Sequence, residues 1–114
     1  MAAGLGIAIA AAFAAGAAGN PPCASNGTRT FERKADLPRG AADALGFAMA
    51  ERGAAFQVTD VLGPGPALPG SRFVAARQTG CRLALRYEYG GIAHGFATAL
   101  LEWRSRGWTV VRAR

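Results

Sequence analysis

Apolar and polar residues alternate in short runs from Arg72 to Arg114, and glycines separate the runs. Successive side chains of a strand point to opposite faces, so this period of two is typical of strands that lay one face on a core. The clearest runs are CRLALRYEY and IAHGFATALLEW, which Gly90-Gly91 joins. We therefore predict an antiparallel sheet as the centre of the fold.

The glycine pair also predicts the register of this hairpin. A two-residue primed turn needs positive φ at both central positions, and glycine adopts it without steric cost. The turn places mostly apolar side chains on one face. The predicted partners are Tyr89 with Ile92, Tyr87 with His94, Leu85 with Phe96, Leu83 with Thr98 and Cys81 with Leu100.

A further strand, RFVAARQ, is joined to the hairpin through Thr79-Gly80. A two-residue loop there sets Arg77 opposite Arg82, and like charges in that position are unfavourable. A three-residue loop with a glycine bulge pairs Arg77 with Cys81 instead, so both registers stay open.

One helix is predicted between Asp36 and Gly53. Asp36 suits the N-cap, Pro38 the first turn and Gly53 a left-handed C-terminal position. Between them apolar residues recur at spacings of three and four and form one stripe. The stripe consists of Leu37, Ala41, Leu45, Ala48 and Met49. Its small residues favour close packing on a sheet.

The remaining elements are shorter. TRTFERKA alternates weakly and predicts an edge strand with Phe31 in the core, while AFQVTDVL, residues 55–62, predicts a strand. GPGPALPG forms an irregular loop, since proline and glycine prevent regular pairing. The sequence thus predicts an α+β fold, with one helix packed on a curled antiparallel sheet of about 4 to 5 strands.

The order of strand, helix and antiparallel meander over residues 28–114 resembles the cystatin-like fold. Cystatins inhibit cysteine proteases through a Gln-x-Val-x-Gly hairpin loop and a Pro-Trp loop. This chain has Gln57-Val58-Thr59-Asp60-Val61 and Gly107-Trp108, which depart from both motifs. The resemblance implies the fold and does not carry inhibition by that route.

The first 19 residues carry no charge and are almost wholly Ala, Gly, Ile, Leu and Phe. This length suits a signal peptide and is short for a membrane span of roughly 20 residues. We expect a cleaved signal peptide at 1–19, an extended arm at 20–27 and an α+β domain at 28–114. The mature chain would then be periplasmic or secreted, with no stable membrane span. An uncleaved anchor or a disordered tail is the alternative, since no Lys or Arg precedes the apolar run.

Export changes what the cysteines do. In an oxidising compartment Cys23 and Cys81 would form one disulfide between the arm and a central strand. In the cytosol they would remain free thiols, with Cys81 a small core residue.

The chain has a net charge of +6, and 12 of its 13 basic residues are arginines. The charge favours anionic partners, but a compositional bias toward arginine is the simpler explanation, because the arginines are scattered along the chain. Nucleic acid is not an expected partner of an exported chain.

The sequence offers little chemistry for catalysis. His94 is the only histidine, and its predicted neighbour across the hairpin is Tyr87. No nucleophile is placed beside it, and a single histidine with two distant cysteines is a poor zinc set. We therefore expect no catalytic residue, metal or cofactor, and a binding protein rather than an enzyme.

The last corner of the sheet carries the candidate binding surface. A four-residue loop from Arg104 to Gly107 sets Trp103 beside Trp108 and Leu101 beside Val110 on the second face. Aromatic and arginine side chains are enriched at interfaces. The candidate binding residues are Trp103, Trp108, Arg82, Arg86, Arg104 and Arg106. Alternatively, another segment or subunit covers this corner as a small second core.

These patterns predict a small exported binding or interaction module for a protein or an anionic ligand, and they are compatible with a homodimer. One alternative is an inhibitor of an exported enzyme that uses the Pro-Gly loop and the hairpin tips. Another is a small-ligand or enzymatic domain with a pocket near His94 and Tyr87.

Overall fold

The computed structural model describes Cys23 and residues 27–113. Its centre is one antiparallel sheet in which five strands pair in chain order. The strands are β1 (Thr28–Phe31), β2 (Ser71–Thr79), β3 (Arg82–Tyr89), β4 (Gly95–Arg104) and β5 (Gly107–Ala113). The predicted antiparallel sheet is confirmed, and so is the short edge strand, in which Phe31 is buried.

The predicted α+β fold is wrong, because the described residues contain no α-helix. In place of the expected helix from Asp36 to Gly53 there are two 3₁₀ turns, Lys34–Asp36 and Asp43–Leu45. Gly40 and Gly46 have φ values of 84° and 80°. An α-helix needs φ near −60°, so neither glycine can lie inside a helix, and Gly46 ends the second turn. Without a helix, the cystatin-like resemblance has no structural support.

The segment from Lys34 to Ala50 nevertheless covers one face of the sheet. Ala41 and Met49 are buried in the core, and Leu37, Ala44 and Leu45 pack against it. Most of the predicted apolar stripe therefore contacts the core, although the segment is irregular and Ala48 is exposed. The sheet contributes Phe31, Phe73, Ala76, Leu83, Leu85, Tyr87, Ala97, Ala99, Leu101 and Trp108 to the same core.

The covering segment is closed by polar contacts at its two ends. The Glu51 carboxylate accepts the backbone N–H of Lys34 at 2.6 Å and of Ala35 at 3.0 Å. Lys34 Nζ donates to the Met49 carbonyl at 2.7 Å. Burial alone would raise the pKa of Glu51, but the N–H groups of Lys34, Arg52 and Ala35 and the charge of Arg33 bring it below its ordinary value.

The predicted register of the central hairpin is wrong. Leu85 pairs with Ala99, and Phe96 pairs with Glu88 on the other face. Leu85 is fully buried, whereas Phe96 is 51% exposed. The connection between β3 and β4 therefore runs from Gly90 to His94. The change in register places Phe96 and the other even-numbered side chains of β4 on the second face. The odd-numbered residues of β4, which include small Ala97 and Ala99, then fill the core.

Gly90 and Gly91 serve a close approach rather than a two-residue turn. A Cβ at Gly90 would collide with the backbone of Gln57 and Val58, and Gly91 N donates to the Val58 carbonyl at 3.1 Å. Only Gly91 has positive φ, while a type I′ turn requires it at both positions. The glycines thus allow the backbone of Gln57 and Val58, which follow the covering segment, to pack against this end of the sheet.

The neighbouring connections differ from the predictions in detail. β2 and β3 are joined by the two residues Gly80 and Cys81, so Thr79 faces Arg82 and Arg77 faces Ala84. Neither predicted register occurs, and the two arginines are not opposed. Residues 55–62 form no strand and have a single isolated bridge, between Thr59 and Gly91. Trp103 faces Trp108 and Leu101 faces Val110 as predicted. However, the loop has two residues rather than four, and the four side chains lie on the core face, so their predicted place on the second face is wrong.

Cys23 and Cys81 form a disulfide with Cα atoms 4.7 Å apart, which confirms the pairing expected for an exported chain. The bond joins the arm to the turn between β2 and β3. The predicted signal peptide at 1–19 and most of the arm at 20–27 lie outside the described residues. Within the part of the chain that is described, no helix has the length and apolarity to cross a bilayer.

Candidate functional site

Within residues 27–113, the side chains on the second face of the sheet are exposed or half-buried. Leu83, Leu85 and Tyr87 point into the core, so the intervening residues of β3 point the other way. The register then adds the facing residues of β2, β4 and β5 to this surface. It contains Arg77, Thr79, Arg82, Ala84, Arg86, Thr98, Leu100, Glu102 and Arg112, and we call it the arginine face.

The arginine face has an excess of positive charge. Arg82 Nε lies 3.3 Å from Glu102 Oε2. The other oxygen of Glu102 accepts a hydrogen bond from Arg104 Nη2 at 2.9 Å. Arg86 stacks on Phe96, with its guanidinium carbon 5.2 Å from the ring centre. Within residues 27–113, Arg77, Arg86 and Arg112 make no ion pair with a carboxylate. Guanidinium groups without a counter-charge attract carboxylates, sulfates or phosphates.

Between these arginines the face has an apolar floor. Arg77, Ala84, Leu100 and Arg112 lie in one row across four strands, since each is paired with the next. A hollow of about 550 Å³ lies along this row, and Val111 and Thr79 also line it. A second hollow, of about 310 Å³, lies between Arg86 and Arg112. The face therefore combines cationic groups with recesses for apolar side chains.

The predicted binding residues fall into three places. Trp103 and Trp108 pack edge to face with ring centres 5.7 Å apart, and they lie on the core face, where Trp108 is buried. Arg82 and Arg86 lie on the opposite face. Arg104, at the end of β4, shares the Glu102 carboxylate with Arg82, whereas Arg106 is in the turn between β4 and β5, where Ser105 has a φ of 56°. The structure thus pairs the tryptophans but does not combine them with Arg82 and Arg86.

The pocket predicted near His94 and Tyr87 is not formed by these two residues together. Tyr87 is buried on the core face, where its ring centre lies 5.3 Å from that of Phe47. His94 lies in the loop after β3 and is exposed, with its Nε2 atom 2.5 Å from Glu88 Oε2. Glu88 belongs to the second face, so the sheet separates the two predicted pocket residues.

Glu88 is the centre of a charged cluster at this end of the sheet. Its Oε2 atom accepts a hydrogen bond from His94, and its Oε1 atom accepts one from Arg72 Nη2 at 2.7 Å. The hydrogen bonds from His94 and from Arg72 lower the pKa of Glu88. Arg72 also donates to the Ala54 carbonyl at 3.1 Å and lies over the Phe56 ring at 4.5 Å. These contacts fix the segment after Ala50 against the end of the sheet.

The same end of the molecule exposes large apolar side chains. Val61 and Leu62, which directly precede the Pro-Gly loop, are 73% and 77% exposed, and Ile92 of the β3–β4 loop is 94% exposed. The bridge between Thr59 and Gly91 brings the two loops together. Gln57 Nε2 holds the first loop through the carbonyls of Thr59 and Val61, at 2.7 and 2.8 Å. We call this surface the apolar end.

Sequence reasoning missed Arg77, Leu100 and Arg112 as site residues. The alternation within β3 did place Arg82, Ala84 and Arg86 on one face, but assigning their neighbours required the true register. In the described part of the chain, no three His, Cys, Asp or Glu side chains converge on a point where a metal could bind.

Comparison with protein-family models, curated proteins and solved structures gives no match to this chain.

Proposed function

We propose that this protein is an exported binding module that captures an anionic partner, an acidic protein surface, on its arginine face. The observation that carries the proposal is the row from Arg77 to Arg112, where arginines without an ion-pair partner among the described residues border an apolar floor. Interfaces enriched in arginine, with a desolvated apolar centre, have this composition.

Charge and compartment support the same proposal. The whole net charge of +6 lies outside the uncharged first 19 residues, so the folded part attracts acidic partners over a distance set by ionic strength. The disulfide between Cys23 and Cys81 agrees with an oxidising compartment, since structural disulfides persist there. An exported chain meets proteins and glycans rather than nucleic acid.

The test is binding of poly-L-glutamate, measured by isothermal titration calorimetry at low and high salt. Arg77→Glu and Arg112→Glu should each weaken binding by about tenfold, since a cation that contacts the ligand becomes an anion. Arg39→Glu is the matched control, because Arg39 is exposed on the segment that covers the other face. If Arg39→Glu weakens binding as strongly, the affinity follows net charge and the arginine face is not the site.

A second candidate function is inhibition of an exported enzyme, and the apolar end favours it. Val61, Leu62 and Ile92 project from two adjoining loops, as a wedge for a cleft would. The test is residual activity of a panel of secreted proteases with wild-type protein and with Ile92→Ser. Inhibition that this substitution removes would support the candidate, and no inhibition across the panel would count against it.

A further inference from the structure

We infer that the arginine face recognises an extended acidic segment in which two carboxylates flank an apolar residue, with acidic residues at positions i and i+4 and the apolar residue at i+2. This inference rests on the proposed function and specifies its ligand. It comes from the spacing of the row that crosses β2, β3, β4 and β5.

The row gives the distance between the two cationic ends. Arg77 pairs with Ala84, Ala84 with Leu100 and Leu100 with Arg112, so the ends are three strands apart. Neighbouring strands lie about 4.8 Å apart, which places the Cα atoms of Arg77 and Arg112 about 14 Å apart. Both side chains are exposed, so their guanidinium groups are available to a ligand above the sheet.

An extended peptide has a matching repeat. It advances about 3.4 Å per residue, so the side chains at i and i+4 leave the same side about 14 Å apart. The side chain at i+2 leaves that side midway between them. A peptide that crosses the strands would therefore set one carboxylate on Arg77 and one on Arg112. Its central side chain would enter the hollow of about 550 Å³ over Ala84 and Leu100.

The surroundings of the row favour this ligand over other anions. A free phosphate or sulfate would use the arginines and leave the apolar floor in water. A bilayer is flat, whereas the arginines border recesses between Arg77, Arg86 and Arg112. Glu102 also lines the larger hollow, but it is paired with Arg82 and Arg104, so Arg77 and Arg112 keep their charge for a ligand. A ligand must therefore carry both an anionic group and an apolar side chain to use the arginines and the apolar floor together.

The test uses a fluorescein-labelled peptide, Gly-Glu-Thr-Leu-Thr-Glu-Gly, and fluorescence anisotropy. We expect wild-type protein to bind it, and Arg77→Glu and Arg112→Glu each to weaken binding by about tenfold or more. Replacing the central leucine with serine should weaken binding to a similar degree. Arg39→Glu, with the same charge change on the covering segment, should bind like wild type. Circular dichroism of each variant verifies the fold.

A second peptide of the same composition, Gly-Leu-Glu-Glu-Thr-Thr-Gly, separates spacing from charge. If it binds as tightly as the first, the inferred spacing is wrong, and binding of poly-L-glutamate by wild-type protein would still support the proposed function. If neither the peptides nor poly-L-glutamate binds, the inference and the proposed function are both wrong. Preference for the first peptide, abolished by Arg112→Glu and not by Arg39→Glu, supports the inference.

Discussion

His94 and Glu88 form a direct contact, with Nε2 and Oε2 2.5 Å apart, that binds the loop between β3 and β4 to the strand preceding it. The other oxygen of Glu88 holds Arg72, which in turn contacts the Ala54 carbonyl and the Phe56 ring. One carboxylate therefore joins the sheet to both segments that form the apolar end.

This cluster predicts that acid weakens the fold. The pKa of Glu88 is lowered by the hydrogen bonds from His94 and Arg72. A carboxyl with a lowered folded-state pKa stabilises the fold above its unfolded pKa, about 4.3, and this stabilisation is lost as the pH falls through the folded value. Glu88→Gln should lower stability at neutral pH and make its decline below about pH 4.3 shallower.

Urea denaturation at a series of pH values measures this effect. Glu51, whose pKa is also lowered, should leave a residual decline in the Glu88→Gln variant. Asp60→Asn removes the same charge from the exposed segment that precedes the Pro-Gly loop and serves as the control. An unchanged pH profile for Glu88→Gln would show that the cluster does not couple to folding.

The disulfide predicts a large loss of stability on reduction. It links residues 58 positions apart. Closing a loop of this length lowers the entropy of the unfolded chain and so raises its free energy by about 4 kcal/mol. A Cys23→Ser, Cys81→Ser double variant should lose about this much and should no longer respond to reductant. Urea denaturation with and without dithiothreitol measures both effects. Equal stability of the reduced and oxidised wild-type protein would contradict the prediction.

Gly90 predicts a steric penalty that a turn glycine would not show. A methyl group there meets the backbone of Gln57 and Val58, which cannot move aside as a flexible side chain would. Gly90→Ala should cost about 1 to 3 kcal/mol. Gly63→Ala, where nothing lies within 4 Å, is the matched control and should change stability little. Equal melting temperatures for the two variants would contradict the close approach.

Trp108 predicts different outcomes for two substitutions. The side chain is buried beside Trp103, so Trp108→Ala should cost about 3 to 5 kcal/mol. Its Nε1 is buried without a hydrogen-bond partner among the described residues. Trp108→Phe, which removes this N–H, should therefore be far better tolerated. Chemical denaturation compares the two, and a stable Trp108→Ala variant would indicate that the residue is not part of the core.

Local sequence was sufficient to predict the five strands of the sheet and some of their partners, but it also predicted a strand at residues 55–62 that does not form. The period of two in β2 to β5 reflects one buried face, and the turn around Ser105 and Arg106 correctly set Trp103 opposite Trp108. The apolar stripe favours a helix, but Gly40 and Gly46 adopt left-handed conformations that interrupt one. An apolar stripe predicts which side chains are buried, whereas the two glycines determine the backbone conformation in which they are buried.

The register and the arginine face depended on contacts distant in sequence. Gly90 is a glycine because residues 57 and 58 approach it, and nothing near Gly90 in the sequence indicates this. Once the register shifts, Leu100 joins Ala84 on the open face, and the irregularity beside Leu101 brings Arg112 into the same row. These neighbours could not be assigned from alternation within single strands.

The most direct test of the binding proposal is the location of the ligand on the sheet. Titration of ¹⁵N-labelled protein with poly-L-glutamate, followed by two-dimensional NMR, reports this residue by residue. We expect the amide signals of Ala84, Thr98 and Leu100 to shift progressively while those of Ala41 and Met49 on the covered face stay in place. Shifts confined to the covering segment or to the apolar end, or no shifts at all, would contradict it.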